Sequence, residues 1–262
     1  MGQTSAAAES GWGQGRVFAA GRAVRGPDVS PDRRLRLDAL ARYLQEAAEG
    51  DLIDAGWRET YGWVVRRCAV DIARFPRLGQ RLEVRTFCSA IGPRWAERTT
   101  TLADSRGGGG ELVRARAVWA AVDSATGRPC PLGEEFRRLY AASAAGRTVS
   151  VRLSHPRPPE GAGGVVDGIA GVVPDDKAAG TPWPLRATDF DASGHVNNAI
   201  YWAAAEEALA GLGWRPASAE VEFNRAALPG CEPRLLVEPA PHGAWAWLLN
   251  DGRPLASARL TR

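Results

Sequence analysis

Paired cysteines and long apolar runs are missing from this chain and lysine is nearly so, and each shortage excludes something. Cys68, Cys88, Cys130 and Cys231 lie far apart and form no CxxC pair. That argues against a zinc site or a disulfide framework and fits a reducing cytoplasm. No apolar run approaches the roughly 18 residues of a membrane span. The opening MGQTSAAAESGWGQGR has no basic stretch leading into an apolar core, so it reads as a flexible tail over residues 1–15 rather than a secretory signal. Ala6 stands where a myristoylation pattern needs Ser or Thr. No GxGxxG, P-loop, HExxH or GxSxG occurs, which sets aside the common nucleotide, metal and serine-hydrolase options. No metal and no other cofactor is expected.

Lysine occurs once, at Lys177, although Lys and Arg together number 33 against 30 acidic residues, for a net charge of +3. The arginines are dispersed, with no basic tract, so nucleic-acid binding is not indicated. Once folded they could still form a basic face suited to an acidic partner. At 45% hydrophobic residues, the chain can support one large domain or two of about a hundred residues each.

What is present is a repeat. LDALARYLQEAAEGDLIDAGW (Leu37–Trp57) has apolar residues at helical spacing and ends in Gly-Trp. NNAIYWAAAEEALAGLGW (Asn197–Trp214) has the same plan. After each comes apolar alternation broken by a Pro-Gly turn, Ala69–Thr86 and Ala219–Pro239, which reads as a hairpin. Then come two longer strands around a glycine-rich turn (Trp95–Pro129) and a shorter hairpin turning at Asp251-Gly252 (Gly243–Leu260). The run AVWAAV (Ala117–Val122) suggests a central strand buried on both faces. The implied class is α+β, two halves each with one helix laid across an antiparallel sheet. The first half takes residues 16–140, the second 185–262, and the Gly, Pro and Ala-rich 141–184 reads as the linker.

The halves differ just before their helices. RGPDVSPDRRLR (Arg25–Arg36) leads into the first, RATDFDASGHVNNAIYW (Arg186–Trp202) into the second. Asp191 and His195 are four apart across Ala-Ser-Gly, so a tight turn can bring both side chains to one side. The helix entrance beyond them offers unpaired N–H groups. A carboxylate there can act as base or nucleophile, and the amides can hold an oxyanion. Equally, Asp, Ser and Asn are favoured helix caps and turn residues, and the spacing alone leaves both readings open. His155 and His242 lie in proline-rich stretches and read as solvent-facing.

DFDASGHVNNAIYW is similar to the signature of the acyl-acyl-carrier-protein thioesterases of bacteria and plant plastids, Asp-x-Asp-x-Asn-x-His-Val-Asn-Asn-x-x-Tyr. LARYLQEAAEGDLIDAGW, RFPRLGQRLEVRTF and VWAAVDSATGRPCPL resemble further landmarks of that family in the right order. The resemblance implies a tandem (double) hot-dog fold, each half a sheet wrapped around a central helix, with the catalytic motif in the second. It implies hydrolysis of the thioester between a fatty acyl chain and the phosphopantetheine arm of acyl carrier protein, an acidic partner, with no nucleic acid or membrane involved. A homodimer is left open.

Carried over, Asp191 matches the catalytic aspartate and His195 the catalytic histidine. Asn197 and Asn198 match the asparagine pair, read as shaping the helix entrance, and Ser193 would position the attacking water. The first half would supply much of the acyl pocket, with Leu40, Tyr43, Leu44, Trp63, Trp95 and Trp119 as candidate lining. Two departures stand out. The family's asparagine between Asp and His falls at Ser193, and its Glu-Tyr-Arg-Arg-Glu-Cys strand aligns with EFNRAA, so its Glu and Cys become Ala226 and Ala227. Rival readings are a thioesterase for CoA esters or for a biosynthetic carrier protein, and a degenerate hot-dog protein that binds acyl chains without cleaving them.

Overall fold

The structure, a computed structural model, describes residues 15–58, 61–107, 110–159 and 180–262. Parts of the expected tail, of the glycine-rich turn (Gly108, Gly109) and of the linker lie outside those residues. Two compact units emerge. One comprises Met1–Leu35 and Tyr43–Arg152, the other Arg36–Arg42 and Leu153–Arg262.

The first unit holds strands β1 (Phe18–Ala23), β2 (Gly62–Ile72), β3 (Arg81–Ile91), β4 (Trp95–Asp104) and β5 (Glu111–Val122). With them come most of helix α1 (Leu37–Asp54) and all of α2 (Glu134–Ala144). Its strands run antiparallel in the order β1-β3-β4-β5-β2. The second unit holds β6 (Thr181–Pro182), α3 (Asn198–Leu212), β7 (Ser218–Phe223), β8 (Arg234–Ala240), β9 (Gly243–Asn250) and β10 (Arg253–Thr261). Their order is β6-β8-β9-β10-β7, again antiparallel. Strand for strand the topology repeats, and the helix-plus-sheet units are the tandem hot-dog arrangement expected from the sequence.

The two Pro-Gly hairpins are not formed. β2 pairs with β5 and β7 with β10, whereas β3 lies between β1 and β4, and β8 between β6 and β9. Both edges of β3 and β8 are therefore filled by other strands. Alternation and a turn signal report two strands, not that they are hydrogen-bonded neighbours. The Asp251-Gly252 hairpin does form, with φ of +49° and +68° at the two turn residues, the left-handed pair a tight two-residue turn needs. β5, flanked by β4 and β2, buries Ala117, Val118, Ala120 and Ala121, so both of its faces are covered.

In the first unit, α1 carries a fully buried carboxylate. Asp51 pairs with Arg16 at 2.7 Å and Arg98 at 2.8 Å and accepts the Tyr140 hydroxyl at 2.8 Å. Three charge-assisted donors replace the water that burial removes. In the second unit, α3 lays Ala199, Tyr201, Ala204, Ala205, Ala208 and Leu209 inward. Small side chains on both sides, among them Ala246, Ala256 and Ala258, close the helix onto the sheet and leave a gap of about 10 Å³, no more than one water could fill. Gly213, at φ +71°, ends α3 with its N–H on the Leu209 carbonyl. Among the described residues no helix is long and apolar enough to cross a membrane.

Candidate active site

Helices α1 and α3 are entered through the same backbone turn, and only its side chains differ. Ahead of α3, a short 3₁₀ turn (Ala187–Asp189) is closed by Arg186, whose N–H donates to the buried Asp189 carboxylate at 2.9 Å. The Asp191 N–H then donates to the His195 carbonyl (2.9 Å), Gly194 to Asp191 (2.9 Å) and Val196 to Ala227 (3.1 Å). Ahead of α1, Gly26–Asp28 forms the matching 3₁₀ turn. There Ser30 donates to Arg34 (2.9 Å), Arg33 to Ser30 (2.8 Å) and Leu35 to Pro76 (2.8 Å). The left-handed position is Gly194 at φ +77° in one turn and Arg33 at φ +67° in the other.

In the second turn the side chains form a chain. Ser193 Oγ donates to Asp191 Oδ1 at 2.5 Å and lies 2.9 Å from His195 Nδ1, while the Ser193 N–H also donates to Asp191 Oδ1 at 2.9 Å. Asp191, Ser193 and His195 are exposed, whereas Asp189 and Val196 on either side are buried. The ends of the turn are thus anchored and its centre faces solvent. In the first turn the serine and aspartate exchange places, Ser30 Oγ donating to Asp32 Oδ1 at 2.5 Å. Arg34 takes the histidine's position, but it is buried, with its guanidinium 4.9 Å from the Phe75 ring centre. The first turn is a frame with its third group turned inward.

The structure therefore brings Asp191, Ser193 and His195 together, with Ser193 as the link. Asn197 has a different job: its side-chain oxygen accepts the Ala199 N–H at 2.9 Å and caps α3. Ala226 is exposed and Ala227 fully buried. The Ala227 N–H donates to the Tyr201 hydroxyl at 3.1 Å. Tyr201, on α3, thus supports the backbone that holds Val196, next to His195. Its phenol is pushed above the ordinary range by burial, with the Asp191 and Cys231 charges adding to the effect. Sequence reading named Tyr201 only as a letter of the motif, because its partner is 26 residues away.

The candidate lining residues are not part of this group. Leu40, Tyr43 and Leu44 are buried on α1. Tyr43 donates its hydroxyl to Asp28 at 2.7 Å and lies under the Arg22 guanidinium. Trp63 is half-buried among aromatic side chains of the first unit. Trp119, half-buried, lies across from Val65 and Ala96 in the sheet, and Trp95 donates its indole N–H to the Val149 carbonyl at 2.7 Å.

His155 corrects the sequence reading: its side chain is 3% exposed. Nδ1 lies 2.9 Å from Ser257 Oγ and Nε2 3.0 Å from Glu220. The wholly buried Glu222 accepts the Ser154 and His155 N–H groups at 2.7 and 3.0 Å. These three side chains offer donor atoms within 4.8 Å of one another, a set that could hold a metal ion. Each already has protein partners, and together they clamp the Ser154–Pro156 stretch onto the sheet of the second unit. His242 is exposed, as expected.

Residues 15–140 match the N-terminal domain of acyl-ACP thioesterases. Over that stretch the chain is similar to the acyl-ACP thioesterase family. A chloroplastic acyl-[acyl-carrier-protein] hydrolase of Cuphea viscosissima is 26% identical over 68% of this chain and 43% of its own length. This chain therefore spans less than half of that plant relative. An uncharacterised protein of Mycobacterium tuberculosis is 29% identical over 74% of this chain and 71% of its own. Among solved structures, a 12:0-ACP thioesterase from Umbellularia californica superimposes with a TM-score of 0.71 at 21% identity, covering 94% of this chain and 96% of that one. An acyl-ACP thioesterase from Bacteroides thetaiotaomicron gives 0.68 at 18% identity, covering 94% and 97%. Those two structures share the double hot-dog fold with this chain.

Proposed function

We propose that the chain hydrolyses the thioester joining an acyl group to the phosphopantetheine arm of an acyl carrier protein. The observation that carries this reading is the Asp191–Ser193–His195 chain at the mouth of α3, in a chain whose first unit is similar to acyl-ACP thioesterases. Ser193 has one hydroxyl proton, and the short contact assigns it to Asp191 Oδ1. His195 Nδ1 must then donate to Ser193 Oγ, so neutral His195 keeps its lone pair on Nε2. With Oδ1 occupied twice, Asp191 Oδ2 is the oxygen left to take a proton from water.

Water attacks the thioester carbonyl as its proton passes to Asp191 Oδ2. The oxyanion faces the N–H of Asn198, the first residue of α3, which has no protein partner among the described residues. Such a donor contributes about 3–4 kcal/mol. Collapse breaks the C–S bond. The departing thiolate takes the proton that Asp191 Oδ2 accepted from water, which restores the carboxylate, while neutral His195 holds Ser193 and through it Asp191 in place. The basic excess suits an acidic carrier.

The test is thiol release from acylated carrier protein and from acyl-CoA, over a ladder of chain lengths. Asp191→Asn and His195→Ala should each lose at least a hundredfold in kcat/KM while keeping the wild-type circular dichroism. Full activity in both variants overturns the site. Ala226 and Ala227 favour the one rival worth retaining, an acyl-binding protein without turnover, which would bind acylated carrier and release no thiol.

A further inference from the structure

At the C-terminal end of α1, five aromatic side chains of the first unit pack together in edge-to-face and tilted pairs. Tyr61 sits between two indoles, 5.7 Å from Trp57 and 5.3 Å from Trp63 by ring centres. Phe136 of α2 touches both indoles, and Tyr140 lies tilted against Phe136, 4.7 Å between ring centres. Trp57 is 9% exposed, Tyr61 5% and Tyr140 not at all. Tyr140 has an acceptor, the Asp51 carboxylate. The other three polar atoms do not. The indole N–H groups of Trp57 and Trp63 and the Tyr61 hydroxyl are buried without a hydrogen-bond partner. Even with the Gly133 backbone N–H directed at the phenol oxygen, the Tyr61 proton has no acceptor.

Buried donors are paired in nearly all native proteins, and three orphans on adjacent rings call for an explanation. Indole N–H can only donate, and a phenol whose oxygen is occupied can do little else. The cluster therefore offers hydrogen-bond donors and lacks acceptors, among aromatic rings that favour a flat apolar body. A charged carboxylate is the wrong guest, because neutral donors do not repay the water that an anion surrenders. Trp63 is only half-buried and gives the cluster a side reachable from solvent.

We infer that the Trp57–Tyr61–Trp63 cluster is a binding site for an uncharged aromatic compound bearing a carbonyl oxygen, which accepts from the orphaned indole and phenol donors. The inference rests on the hydrogen-bond accounting of the first unit alone. It stands whether or not the chain cleaves thioesters.

The probes are acetophenone, ethylbenzene of nearly the same shape without the oxygen, and benzoate. Calorimetric titration of the full chain should show acetophenone binding at least tenfold more tightly than either of the others. In ¹⁵N spectra, the indole N–H resonances of Trp57 and Trp63, assigned through Trp57→Phe and Trp63→Phe, should move downfield with acetophenone and not with ethylbenzene. Tyr61→Phe removes one oxygen and little volume, so the fold should persist, and acetophenone affinity should fall threefold to tenfold with ethylbenzene affinity unchanged. Equal binding of ethylbenzene would reduce the site to an apolar gap. Tightest binding of benzoate would make it charge-led. No saturable binding, with the indole resonances unmoved, would mean that water alone meets these donors. Each of these three results overturns the inference.

Discussion

Ser193 is the link in the proposed catalytic group, joining the carboxylate to the imidazole. Ser193→Ala leaves Asp191 and His195 in place but severs the link between them, so kcat should fall about tenfold to a hundredfold, roughly 1.4–2.7 kcal/mol of barrier, with KM little changed. Steady-state kinetics on acylated carrier would check this, and an unaltered kcat would remove Ser193 from the mechanism. Tyr201→Phe acts one step further out. It leaves the buried Ala227 N–H without an acceptor, a loss of about 1–3 kcal/mol that a urea melt would register. Asp191 and His195 were legible because a tight turn is a local matter, fixed by residues within one short segment. Tyr201's partner and the burial of His155 were not. Both depend on strands that sequence distance separates by 26 and 65 or more residues.

The two entry turns permit a test at the level of the element. Arg33 holds a left-handed conformation at φ +67° where its counterpart is Gly194, and a side chain there costs about 1–2 kcal/mol. The Arg33 side chain is exposed, so Arg33→Gly should stabilise the protein by about 1 kcal/mol. Gly194→Ala should destabilise it by a similar amount and disturb hydrolysis as well. Thermal melts of the two variants, moving in opposite directions, would establish the equivalence of the turns. Helices, strands and the Asp251-Gly252 turn were readable because each rests on periodicity or on turn chemistry. The order of the strands was not. A chain leaving β2 carries no mark saying that β5, some forty residues on, will be its neighbour.

At the scale of the whole molecule, the tyrosines give a collective signature. All four are protected: burial pushes Tyr43, Tyr61 and Tyr140 up to about 12 and raises Tyr201 as well. A raised folded pKa means that the native state keeps protons the unfolded chain, near its ordinary 10, has released. Their contribution to stability is therefore complete below pH 10 and lost as the pH climbs from 10 towards 12. Phenolate absorbance should stay low past pH 10 and then rise as the chain unfolds, all four residues ionising together. A phenol titrating at its ordinary value in the native protein would contradict this picture.

The paired entry turns also supply something rarely present in one polypeptide, an internal control. The Asp191 and Gly194 amides of the proposed reactive turn have twins at Ser30 and Arg33 in the other, so exchange rates at Ser30 and Arg33 can be subtracted from those at Asp191 and Gly194. Whatever difference a bound acyl group makes to the second pair alone reports on chemistry, free of everything the shared scaffold does.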